Sequence, residues 1–248
     1  MNYMPPRRSD GAIQKRRRPL PWPKDRPFRI LSIDGGGICF ILPAAVLAEV
    51  ERRFLGGRTI SNYFDMIAGT STGGIIALAL GAGMTSAEIR DIYVERGGLI
   101  FPPRGWLACL VLQLRRMVRY GYDAKALENE LRRIFHARVF GDTIVRLCIP
   151  SFEGRHGEPW IYKTPHHPAY RMDRHEKMVT VGLATASAPT FFRSLEHDGY
   201  MMVDGGLWAN NPIMNAVVDA LAGTIARVFA MSTSHGSPSP ESVCGMNP

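Results

Sequence analysis

Gly69-Thr70-Ser71-Thr72-Gly73 separates two apolar runs, Phe64 to Ala68 and Ile75 to Leu80. A serine between two glycines, where a strand passes into a helix, is the arrangement of a nucleophile elbow. Small neighbours let the chain turn sharply and leave the serine Oγ standing clear. A helix starting just after Ser71 turns its positive dipole end toward the same point. The pentapeptide equally suits a tight strand–helix turn with no chemistry, so other residues must decide between the two.

Two further segments bear on that choice. Asp34-Gly35-Gly36-Gly37 follows an apolar strand, Phe28 to Ile33. It precedes Phe40 to Phe54, which is apolar at helical spacing, with Glu49, Glu51, Arg52 and Arg53 on the other side. Glycines without side chains leave backbone N–H groups able to face a developing negative charge. A dinucleotide-binding loop would need a glycine where Phe40 stands. The third segment is Asp204-Gly205-Gly206, after the short strand Tyr200 to Val203. By itself it also reads as a turn.

In this order the three segments resemble the patatin-like phospholipase family, and Asn210-Asn211-Pro212 is similar to that family too. The resemblance spans residues 28 to 232. It implies an α/β, three-layer patatin-like fold and a Ser–Asp dyad without a catalytic histidine. Ser71 would be the nucleophile and Asp204 its base. Gly35, Gly36 and Gly37 would form the oxyanion loop, with Gly69, Gly73, Gly205 and Gly206 supporting the motifs. No cofactor or metal is implied. The family usually continues the glycine run as G-G-G-x-R-G; Cys39 and Phe40 stand in those last two places here, so a cation that could hold the loop or a substrate phosphate is missing.

Serine is a weak nucleophile unless a base takes its proton. A carboxylate with its ordinary pKa near 3.9 is a poor base, and burial would strengthen it. Tyr200 to Val203 fits a semi-buried aspartate. Amides at the glycine loop would stabilise the tetrahedral oxyanion by about 3–4 kcal/mol per donor. Of the seven histidines only His235 follows Asp204, in a Ser/Pro-rich stretch, and His197 falls on an expected turn as a solvated residue. The hydrolase order of Ser, acid, His therefore finds no rigid histidine.

The net charge of +8 is unevenly spread. Residues 1 to 27 hold eight basic and two acidic residues and six prolines, and the remainder is nearly neutral. Such a segment cannot bury enough apolar surface to order itself. It reads either as a disordered leader or as a contact for anionic lipid heads; no motif suggests a nucleic-acid polymer. Cys39, Cys109, Cys148 and Cys244 lack metal or disulfide spacing and read as reduced, mostly buried hydrophobes. His166-His167 read as loop polar residues. With no apolar leader and no run long enough to span a bilayer, the expected location is cytoplasmic, at the inner face of the membrane.

Beyond the elbow, helices and strands alternate, which predicts a mostly parallel sheet with helices on both faces. Thr85-Ser86-Ala87-Glu88 is a capping box opening a helix through Arg96. Residues 97 to 105 read as a loop, and Trp106 to Val118 as an apolar helix, either core or a lid over the acyl site. Asp123 caps a helix to about His136. Strands follow at Thr143 to Ile149 and Trp160 to Tyr162, a small-residue helix at Met178 to Ser187, another helix at Pro212 to Leu221 and a last strand at Ala226 to Ser232. The organisation expected is a basic tail (1–27), a hydrolase domain (28–232) and a flexible Ser/Pro-rich tail (233–248).

The function expected is release of fatty acid from membrane phospholipid. Ile161 to His167 and Ala184 to Thr190 are similar to the bacterial effector branch of the family. In that branch a cyclic nucleotide switches the phospholipase on during anti-phage defence, which implies a nucleotide activator and assembly into a homo-oligomer. Two other readings stand beside it: a non-catalytic lipid-binding or scaffold module, and a general soluble carboxylesterase.

Overall fold

The computed structural model describes Pro5, Arg7 and residues 26–36, 41–100, 124–167, 170–189 and 191–221. Gly37, Cys39, Phe40, the expected helix at Trp106 to Val118, the Asp123 cap and the strand at Ala226 to Ser232 lie outside the described residues.

In chain order the elements are β1 (Ile30–Ile33), α1 (Ile41–Phe54), α2 (Ile60–Tyr63), β2 (Met66–Gly69), α3 (Thr72–Gly81), α4 (Ser86–Ile100) and α5 (Ala124–Phe135). Then come β3 (Arg146–Glu153), β4 (Glu158–Lys163), α6 (Met178–Ala186), β5 (Leu195–His197), β6 (Tyr200–Asp204), α7 (Gly206–Ala209) and α8 (residues 213–221). The Thr85 box forms as expected: Glu88 Oε2 accepts from the Thr85 amide at 2.8 Å, and Thr85 Oγ1 from the Glu88 amide at 3.3 Å. α4 nevertheless runs to Ile100, through Gly97-Gly98, where a loop was expected. Burying its Ile89 face outweighs two glycines at about 1 kcal/mol each.

The six-stranded sheet is mixed. β1, β2 and β3 pair in parallel. β4 and β6 run against β3, and β5 runs against β6, so four of the six strands point the same way. The β5–β6 turn has positive φ at both Asp198 (48°) and Gly199 (83°), as a two-residue hairpin requires.

Strand alternation sends side chains to two covered faces. Ile67, Leu147 and Ile149 join the main core with α3 and α6. Met66, Ala68 and Cys148 point the other way, against Ala216 of α8. This is the expected three-layer α/β arrangement. α3, apolar on every side, is buried along its whole length, as a central helix must be. Asp219 fastens α8: its carboxylate accepts from Lys163 Nζ and His166 Nε2, each at 2.7 Å, and from the Tyr170 hydroxyl. His166 is a loop polar residue, as expected, and a helix remote in sequence brings it a carboxylate partner.

One topological detail positions everything that follows. Residues 148 and 151–153 of β3 pair on one edge with β4, so β2 and β6 share the other edge. Ala68 lies opposite Cys148 and Asp204 opposite Ser151. Since β2 runs with β3 and β6 against it, their carboxyl ends meet head-on beside Ile149 and Pro150. Among the described residues no helix is long and apolar enough to cross a membrane.

Candidate active site

Ser71 sits where β2 gives way to α3, at φ 57°, ψ −127°. A non-glycine residue there is strained by about 1–3 kcal/mol. The flanking glycines make the turn sterically feasible. A Cβ on Gly69 would overlap the Gly73 carbonyl, and one on Gly73 would overlap the carbonyls of Ile33 and Asp34.

The strained turn is held from three sides. The Ser71 amide donates to Thr185 Oγ1 at 3.0 Å, and the Thr185 hydroxyl donates to the Pro150 carbonyl at 2.6 Å. Thr70 Oγ1 donates to the Ala209 carbonyl at 2.7 Å. The Ile75 amide donates to the Ser71 carbonyl at 3.1 Å, starting α3.

Asp204 ends β6, 5% exposed. Its amide donates to the Ser187 carbonyl at 3.1 Å. The Gly206 amide donates to its Oδ1 at 2.6 Å, and the Ser71 side chain acts on the same carboxylate as a hydrogen-bonding neighbour that lowers its pKa. Burial raises the Asp204 pKa, against the opposing pull of those two hydrogen bonds. Gly205 packs where a Cβ would overlap the Pro150 carbonyl.

The glycine loop needs a correction. The Gly35 amide donates to the Asn210 carbonyl at 3.0 Å, so Gly35 is a tether and not an oxyanion donor. Asn211 Nδ2 reaches Asp34 Oδ2 at 3.4 Å, and its Oδ1 accepts from the Ile213 amide at 3.0 Å. Asn210-Asn211 therefore ties the glycine loop to the segment carrying Asp204. Among the described residues the Gly36 amide has no partner, and Gly36 lines the cavity beside Ser71. Gly37 lies outside the described residues.

Ser71, Asp204, Gly36 and Asn210 open onto a cavity of about 490 Å³. Its other walls are largely apolar, including Ile75, Leu127, Phe191 and Phe192. Serine, carboxylate and amide converge beneath an apolar chamber. The arrangement suits attack on an ester carried by a hydrocarbon chain.

Sequence reasoning assigned no role here to Thr185 or Asn210. A threonine inside the small, apolar stretch Met-Val-Thr-Val-Gly-Leu-Ala-Thr-Ala is a signal that could have found the first, since a fully buried hydroxyl needs partners. Asn210 gave no such signal, because its contribution is a main-chain carbonyl.

His197 is not simply solvated. Its Nε2 lies 2.9 Å from Glu176 Oε2, a hydrogen bond that raises its pKa. With Asp198 these residues bring three potential ligand atoms within 4.8 Å, the one such group among the described residues. The imidazole reads as a partner of the Glu176 carboxylate, and the trio does not line the cavity. Cys148 is buried, which pushes its thiol up to about 12 and keeps it unreactive.

The site and sheet define a three-layer α/β architecture with a serine on a strand–helix elbow. Residues 31–217 match the model of the patatin-like phospholipase family, and the chain belongs to that family. It is 36% identical over 196 residues to a cGAMP-activated phospholipase of Vibrio cholerae serotype O1, covering 74% of this chain and 55% of that protein. It is 35% identical over 189 residues to a protein of the same name from Pseudomonas aeruginosa, with 75% and 54% covered. Patatin-like protein 2 of Arabidopsis thaliana is 32% identical over 212 residues, with 76% and 51% covered. The chain spans about half the length of these relatives.

Proposed function

We propose that this chain is a lipid acyl hydrolase that cleaves membrane phospholipids through Ser71 and Asp204. The observation carrying this reading is the convergence of Ser71, strained on its elbow, and the buried Asp204 carboxylate on the wall of one largely apolar cavity. Asp204 takes the Ser71 proton as Oγ attacks the ester carbonyl. Negative charge builds on the carbonyl oxygen beside Gly36, with the neighbouring Gly37 amide as second donor. The lysophospholipid leaves with the proton from Asp204. Water, deprotonated by the same carboxylate, then releases the fatty acid from Ser71.

Activation by a cyclic nucleotide is part of the same proposal, supported by the names of the bacterial relatives. The active form works at the inner face of the membrane as an anti-phage effector, and assembly into an oligomer accompanies switching. The basic residues before Phe28 other than Arg7 and Arg26, which pair with Glu158 and Asp65, contact anionic head groups.

The test is a fluorophosphonate probe, with and without a panel of cyclic nucleotides, followed by mass spectrometry of incubated lipids. Wild type is expected to label and to release fatty acid, and Ser71→Ala to do neither. Absence of labelling under every condition would leave a lipid-binding module. Equal turnover of short soluble esters and vesicle lipids would make it a general esterase.

A further inference from the structure

Beyond Ser71 the catalytic cavity has a second compartment. Thr72, Ile75 and Leu127 line both the chamber and an adjoining slot of about 40 Å³ between α3, α4 and α5. Helical periodicity builds the slot. α4 turns Ile89, Tyr93 and Gly97 toward it at four-residue intervals, and α5 turns Leu127, Leu131 and Ile134. Ile89, Leu127 and Leu131 are each at most 3% exposed. A slot walled this way stays dry and favours hydrocarbon.

Two observations mark the polar part of its wall. Tyr93 Oη is buried and without a hydrogen-bond partner among the described residues. Near it Arg96 forks onto Glu130, both contacts 2.6 Å. Hydrocarbon is favoured up to that polar boundary and not beyond it. Gly97 lines the slot and is buried, and a Cβ built on it meets no atom within 4 Å among the described residues.

We propose that the slot takes the methyl end of the acyl chain whose ester is cleaved at Ser71, and that Gly97 sets the chain length accepted. This rests on the catalytic reading above. Each buried methylene is worth a factor of about four in binding. A leucine side chain at 97 occupies the room of several, and a long chain is displaced while a short one is not.

Alkyl fluorophosphonates of graded length, from butyl to hexadecyl, test this on the full chain with the cyclic nucleotide panel present. Ser71 Oγ attacks phosphorus, the P–F bond breaks, fluoride leaves and the proton passes to Asp204. In wild type the labelling rate should rise with chain length and then level off. Gly97→Leu should lower the long-to-short ratio at least tenfold, and Gly97→Ala by a smaller factor. Neither should lower the melting temperature, since both residues favour helix over glycine. An unchanged ratio in both variants overturns the slot assignment while leaving the catalytic reading intact. If Gly97→Leu does not fold, the ratio in Gly97→Ala decides alone. Failure of every probe to label wild type overturns the catalytic reading, and this inference with it.

Discussion

Burial raises the Asp204 carboxyl, and the Ser71 and Gly206 hydrogen bonds restrain the rise without cancelling it. A base must be ionised, so turnover should fall as pH drops through this raised pKa, placing the acid limb of kcat/KM above the ordinary aspartate value. Stability responds with the opposite sign. A folded-state pKa above the unfolded one means the native state holds the proton more tightly, so the cost of burying the charge sets in as pH rises through that interval. Asp204→Asn should therefore lose roughly 10²–10⁴-fold in turnover. By calorimetry it should melt higher than wild type at neutral pH and no higher below about pH 4. Thr185→Val removes the acceptor for the Ser71 amide and should cost about 1–3 kcal/mol of stability. It should also lower kcat more than it changes KM, because it loosens the elbow rather than the chamber. At this scale the strand–helix turn at Ser71 and the turn after Asp204 were legible, because turn geometry restricts which residues fit. Thr185 and the Asn210 carbonyl were not, since tertiary pairing alone brings them to the elbow. The Gly35 amide was misjudged for the same reason: a glycine run shows that amides are uncovered by side chains, not which of them another carbonyl claims.

Glu51 shows how one side chain organises several helices. From α1 its Oε1 accepts from the Ile60 amide at 2.8 Å and its Oε2 from the Ser86 amide at 2.9 Å. One carboxylate thus caps the first turns of both α2 and α4 and meets their positive dipole ends. Glu51→Ala should cost about 2 kcal/mol or more, by analogy with two lost caps, measured by urea unfolding. Faster hydrogen exchange should appear at the first turns of α2 and α4 together, and not at α5. In sequence Glu51 was one more charge on the outer side of an amphipathic helix. The capping box at Thr85 was legible because its partners are three residues apart. The parallel strands followed from helix–strand alternation. The join of β2 to β6 along one edge of β3 had no local signature, since register there comes from packing around Pro150 and Ser151.

Across the whole molecule, sequence patterning foretold two covered sheet faces, and the cores on each side realise them. Arg26, at the end of the basic leader, forks onto Asp65 with both contacts at 2.7 Å, and the Arg29 amide adds a third at 2.8 Å. Burial alone would raise the Asp65 pKa, but these donors outweigh it and hold the carboxyl low. The stability this confers is present above the unfolded pKa and fades as pH falls through the folded one. Arg26→Ala should cost about 1–3 kcal/mol by leaving a buried carboxylate short of donors. The remaining leader charge predicts a salt effect: hydrolysis of anionic vesicles should drop between 0.05 and 0.5 M salt (about 14 to 4 Å of screening length), with little change for a monomeric ester.

The head-on meeting of β2 and β6 also governs when Ser71 and Asp204 can come together during synthesis. A ribosome that has made the elbow but not yet the last hairpin holds a serine with no proton acceptor. On the proposed mechanism, the nascent chain gains its hydrolytic pair only when that late strand docks.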